Sequence, residues 1–115
     1  MAKDDYDVIV CHILVYLYKW LKKKNGIAPE QYLQHLTDEI PIDEEYFYYV
    51  LEHMTEDKLI ENIKFSYAWD GDVVNVDISK ARITPDGIHY LKDNGTMQKI
   101  ARSIPGAASI AALFM

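Results

Sequence analysis

The sequence predicts an α+β domain of the winged-helix class, with three helices, a two-stranded β-hairpin wing and further C-terminal helix. Three observations carry this expectation. Apolar residues recur at helical spacing through the first half of the chain. Alternating apolar and polar residues then flank Asp70-Gly71, a strong turn signal. A new helix start, Thr84-Pro85, follows directly. Residues 1–104 are expected to form the domain, and residues 105–115 an apolar tail, helical and docked on the domain or on a partner subunit.

The first helix is predicted from Asp4 to Lys24. Asp4, Asp5 and Asp7 sit at its start and Lys22, Lys23 and Lys24 at its end, an order that complements the helix macrodipole. Asn25-Gly26 stops it. Val10, Ile13, Leu14, Leu17 and Leu21 form one apolar stripe, and Val8, Cys11, Val15 and Tyr18 a second. A helix apolar on two faces is either central to its own domain or shared with a partner. A second, short helix opens at Ala28-Pro29, runs to Leu36 and is broken at Ile40-Pro41. Asp43 caps a third helix, with Ile42 and Phe47 placed as a hydrophobic staple and Phe47, Val50, Leu51 and Met54 as the buried stripe; it ends near Asp57.

The hairpin strands are Leu59 to Trp69 and Asp72 to Ile83. A two-residue loop sets Ile63 against Ile78, Phe65 against Val76 and Tyr67 against Val74 on one face. It also sets Lys64 against Asp77 and Glu61 against Lys80, so opposite charges meet. Thr84 caps a fourth helix with Pro85 in its first turn and Ile88 and Leu91 facing inward; Asn94-Gly95 stops it. Thr96 is expected to cap a fifth helix reaching Ile104, before Pro105-Gly106.

The run Ile83-Thr84-Pro85-Asp86-Gly87-Ile88-His89-Tyr90-Leu91-Lys92-Asp93-Asn94-Gly95-Thr96 resembles the corresponding stretch of the YjcQ family. These are small winged-helix-like proteins of Gram-positive bacteria and their prophages, in which a hydrophobic-Thr-x-x-Gly start leads into Tyr-Leu-Lys-x-Asn-Gly-Thr. Phe47 and Leu51 inside the preceding helix, and Leu59-Ile60 entering the first wing strand, also fit. The likeness spans roughly residues 40–104. The first helix matches in character only, and the tail after Pro105 has no counterpart. The resemblance implies a winged-helix fold and a phage-related or regulatory setting; it implies no ligand and no catalytic residue.

Charge bears most on function. The net charge is −6, and it is uneven. Residues 29–61 hold ten acids and one lysine, whereas the segments on either side are slightly basic. A negative chain opposes general affinity for phosphate backbones, although distribution matters more than total. The single cysteine, Cys11, forbids an internal disulfide and fits a reducing compartment; it reads as a buried core thiol. Met1–Asp7 lacks the basic, apolar pattern of a secretion signal, and the apolar run Val8–Tyr18 is too short to span a bilayer. A cytoplasmic location without a membrane partner is expected.

No catalytic constellation stands out, so the chain is read as non-enzymatic and without cofactors. His35 with Asp38 and Glu39, and Glu52 with His53 and Glu56, can be drawn as metal sites, but neither has a second His or Cys at ligand spacing. The acidic pairs Asp38/Glu39 and Glu44/Glu45 read as helix-start and surface charge. Glycine-rich phosphate loops and nucleophile elbows are not found in the sequence.

Two function classes stay open. The first is a phage-related DNA-binding or transcriptional regulator, with Lys22, Lys23, Lys24, Lys64, Lys80 and Arg82 as candidate contacts to double-stranded DNA. The second is a protein-interaction module using an acidic, tyrosine-rich third-helix surface, with Glu44, Glu45, Tyr46, Tyr48, Tyr49 and Trp69 as candidates. In a DNA-reading winged helix the third helix enters the major groove. Here its start reads Asp43-Glu44-Glu45-Tyr46-Phe47-Tyr48-Tyr49, which repels phosphate. The two-faced first helix and the apolar tail would also serve a homodimer.

Overall fold

The computed structural model describes residues 2–23, 28, 31–32 and 43–103, with backbone alone at 2–5 and 23. Lys24, Asn25-Gly26, most of the predicted second helix, Ile40-Pro41, Ile42 of the staple and the tail 105–115 lie outside these residues. The elements are α1 (Ala2–Lys23), α2 (Glu44–Glu56), β1 (Ile60–Glu61), β2 (Lys64–Tyr67), β3 (Val73–Asp77), β4 (Arg82–Ile83), α3 (Pro85–Asp93) and α4 (Gly95–Ser103). Thus α2 is the predicted third helix, and α3 and α4 the fourth and fifth. Of the predicted second helix, Gln31 and Tyr32 are helical, with both backbone N–H groups donating to the Ala28 carbonyl.

α1 is central. Ile9, Val10, Cys11, Ile13, Leu14, Val15, Leu17 and Tyr18 are all buried and Val8 is half-buried, so most of both apolar stripes is covered within one chain. The helix packs against α2, β4, α3 and α4. Leu21 departs from the predicted stripe: it is 36% exposed, in the last turn of α1. Tyr32 stacks on Tyr16 with ring centroids 3.8 Å apart, and its hydroxyl donates to the His12 carbonyl at 3.3 Å. Phe47, Val50, Leu51 and Met54 of α2 enter the core as predicted, joined by Leu91 and Met97 from α3 and α4.

Helix ends follow local chemistry, with two departures from expectation. Asp43 occupies the N-cap position of α2 and its carbonyl accepts from Phe47 N–H, but its carboxylate makes no cap hydrogen bond. α2 ends in a Schellman motif: Leu59 N–H donates to the Met54 carbonyl and Lys58 N–H to that of Thr55. Lys58 sits at φ 62, where glycine is usual. At α3 the predicted cap is present, the Thr84 hydroxyl accepting from Gly87 N–H at 2.9 Å with Pro85 in the first turn. α4 is capped by Asn94 rather than Thr96. Asn94 Oδ1 accepts from Met97 N–H at 3.1 Å, so one residue closes α3 and opens α4, and Thr96 falls inside the helix.

The wing is antiparallel, with β2 paired to β3 and β1 to β4. Lys64 faces Asp77 and Phe65 faces Val76, as predicted. Both ends of the predicted register need correction. At the tip Tyr67 pairs with Val73, not Val74. The two-residue turns favoured in hairpins need positive φ at the first central residue, and one of them at both. Among Asp70 and Gly71 only Gly71 adopts it, at φ 95. The chain instead uses the loop Trp69–Gly71, closed by Ala68 N–H to the Asp72 carbonyl and Gly71 N–H to the Ala68 carbonyl. An irregularity in the ladder beside Tyr67 then restores the register, leaving Val74 outside on the solvent side. At the base Glu61 pairs with Arg82, not Lys80. Ser79 and Lys80 form a turn, with Ala81 N–H donating to the Ile78 carbonyl, while Asn62, between β1 and β2, sits at φ 65. That turn carries Lys80 past Glu61. Ile63 and Ile78 are not laddered, but both pack in or against the core.

Candidate protein-interaction surface on the second helix and the wing tip

Burial of Phe47, Val50, Leu51 and Met54 fixes the roll of α2. Glu45, Tyr48, Tyr49 and Glu52, at i, i+3, i+4 and i+7, therefore share its outward side. The wing tip comes down beside them, and Gly71, Asp72 and Val73 supply the facing wall of a groove of 260 Å³. The Tyr67 hydroxyl donates to Glu52 Oε2 at 3.2 Å and ties wing to helix. Desolvation, followed by that bond and the charges of Glu52 and Glu56, holds the Tyr67 phenol above its ordinary range. In the tip loop the Asp70 carboxylate accepts from Asp72 N–H at 3.1 Å, and Trp69 stands 99% exposed.

Of the residues predicted for this surface, Glu45, Tyr48 and Tyr49 meet in the groove. Glu44 lies close enough to Tyr48 to help raise its pKa, after desolvation, but does not line the groove. Tyr46 is half-buried and stacks on Tyr49 at 6.0 Å. Tyr49 also packs on His53 at 4.3 Å, so its ring is held from two sides. Glu52, Asp72 and Val73 were not singled out in the sequence for this surface. Glu52 had a signal, since it stands two turns beyond Glu45; the wing residues had none, because only the tertiary fold brings the tip to the helix.

The predicted DNA contacts are more scattered. Lys64 lies on β2 opposite Asp77, whose carboxyl is held low by hydrogen bonds from the Ser79 N–H and hydroxyl and, more weakly, by Lys64 and Lys80. Arg82 is paired with Glu61 at 2.9 Å. Lys22 sits over the Tyr18 ring, 5.4 Å from its centroid. Lys80 and Arg82 do share a second groove, of 230 Å³, with Leu17, Trp20 and Leu21 near the end of α1. Of Lys23 only the backbone is described, and Lys24 lies outside the described residues, as do His35, Asp38 and Glu39 of one sequence-level metal grouping. The other grouping, Glu52, His53 and Glu56, does not converge: among the described residues no three His, Cys, Asp or Glu side chains come together as metal ligands. No described helix is long and apolar enough to cross a membrane.

The helical core, the hairpin wing after α2 and the helices behind it define a winged-helix protein. The chain belongs to the YjcQ family: it matches the sequence profile of that family, described as YjcQ protein, over residues 12–106, from within α1 to beyond α4. No curated protein and no solved structure shows a match to the chain.

Proposed function

We propose that this chain is a non-enzymatic interaction module that docks on a positively charged segment of another protein through α2 and the wing tip. One observation carries the reading. The helix position that enters DNA in other winged-helix proteins here presents Glu45 and Glu52, and the wing tip adds Asp72 to the same groove. Carboxylates so placed repel phosphate and attract Lys or Arg. The aromatic rings beside them supply the contact area that interfaces favour. Trp69, fully exposed at the tip, is the kind of side chain that acts as a binding anchor. The reading keeps the regulatory setting that the family resemblance implies but makes the target a protein.

A second reading, DNA contact through Lys80 and Arg82, is favoured by their meeting near Trp20 at the end of α1. It has less charge to draw on, because Arg82 is already paired with Glu61. One titration separates the two. The isotope-labelled chain is titrated at physiological salt with a cationic peptide and, separately, with duplex DNA, and amide shifts are mapped. Shifts centred on Glu45–Glu52 and Trp69–Val73 with the peptide are expected. Shifts confined to Lys22, Lys80 and Arg82 with DNA, and none with the peptide, would overturn the proposal.

A further inference from the structure

Resting on the docking reading above, we infer that the groove between α2 and the wing tip is a socket for one arginine side chain of the partner. The groove measures 260 Å³, room enough for one long side chain. Its charge selects a cation: Glu45, Glu52 and Asp72 line it, and among the described residues no lysine or arginine does.

The remaining chemistry favours guanidinium over ammonium. A guanidinium is planar and weakly hydrated, stacks on aromatic rings and pairs with a carboxylate through two parallel hydrogen bonds. An ammonium is compact, strongly hydrated and gains less from flat walls. Tyr48 and Tyr49 line the groove, and Tyr49 is set in advance by its contacts with Tyr46 and His53. The Glu52 carboxylate is likewise oriented in advance, because Tyr67 already donates to Oε2. A preordered ring and a preordered carboxylate lower the ordering cost of binding. Glu52 is the pairing residue of the socket and Tyr67 its positioning residue.

The test uses the full chain and three capped pentapeptides, identical but for a central arginine, lysine or citrulline, titrated at physiological salt with amide shifts as readout. The arginine peptide is expected to saturate shifts at Tyr48, Tyr49 and Glu52 and to bind at least about fivefold more tightly than the lysine peptide. Citrulline, which keeps the shape but lacks the charge, is expected not to saturate. Loss of a charged hydrogen bond predicts an about tenfold weaker complex for Glu52→Gln. Tyr67→Phe is expected to weaken arginine binding by a smaller factor, with the amide spectrum showing that each variant stays folded. Equal binding of arginine and lysine, or arginine binding unchanged in Glu52→Gln, overturns the socket while leaving docking intact if the longer cationic peptide still maps to the groove. If no cationic probe moves groove resonances, both fall.

Discussion

Replacing Gly87 with alanine tests the packing between α3 and the base of the wing. An added Cβ at Gly87 would overlap the Leu59 carbonyl oxygen and come within 2.8 Å of Ile83 Cγ1 and 3.1 Å of the Leu59 carbonyl carbon. The nearest obstacle is backbone, and it is held: the Leu59 carbonyl accepts from Thr84 N–H at 3.1 Å. Relief requires α3 to move away from β1 and loosens the Thr84 cap, whose hydroxyl accepts from Gly87 N–H. Overpacking costs about 1–3 kcal/mol, and a weakened hydrogen bond costs about 0.5–1.5 kcal/mol more. The better helix propensity of alanine returns about 1 kcal/mol. With a rigid carbonyl as the obstacle, the net loss is about 2–3 kcal/mol. For a chain of this size that lowers Tm by about 10 °C. Urea and thermal unfolding followed by circular dichroism measure it. Gly95→Ala is the internal control. That glycine also lies in a helix, but nothing stands within 4 Å of its added Cβ, so alanine there should be neutral or stabilising by up to about 1 kcal/mol. If Gly87→Ala matched the control, the close approach of α3 to Leu59 would be refuted.

Lys58→Gly should stabilise the protein by about 1 kcal/mol in urea unfolding, since Lys58 holds the left-handed position that ends α2. Leu91→Ala should cost about 2–5 kcal/mol by the same measurement, because Leu91 is fully buried in the core. Burial pushes the Cys11 thiol from its ordinary 9.0 to about 12, and its S–H donates to the Met97 carbonyl at 3.6 Å. It should therefore resist a thiol reagent at about pH 8 in the folded protein and react once urea unfolds the chain. The Tyr16 phenol is pushed from 10.0 to about 12 by burial as well. Both folded values lie above the unfolded ones, so these stabilising contributions are whole below the ordinary values and vanish as pH rises to about 12. Urea midpoints should fall across that alkaline window, and a flat profile there would contradict the burial of both groups.

Much of the fold was legible because its signals are local. Spacing alone placed Phe47, Val50, Leu51 and Met54 inside, and Thr84-Pro85 announced α3 without reference to the rest of the chain. Errors came where two local solutions compete. Asn94-Gly95 reads as a stop, yet Asn94 also caps the next helix. Asp70-Gly71 reads as a two-residue turn, yet Asp70 stays out of positive φ and the loop takes in Trp69. Leu21 fits the apolar stripe, yet no described element covers it fully. The end of α2 near Asp57 was legible, but not that Lys58 takes the left-handed position there, since lysine carries no preference for it.

The sequence makes α2 acidic and rich in tyrosine and sets a hairpin after it, because charge content and side-chain alternation are properties of short segments. It also left α1 open between a central helix and a shared one. Packing shows that most of both faces of α1 is covered by its own chain, and that the wing tip lies against α2. The facing walls of the groove, Glu45 to Glu52 and Gly71 to Val73, are separated by the whole first wing strand. Their meeting depends on the loop, the irregularity beside Tyr67 and the Tyr67–Glu52 bond. Spacing along a chain cannot encode such a distance, because it is set by how packed elements turn relative to one another.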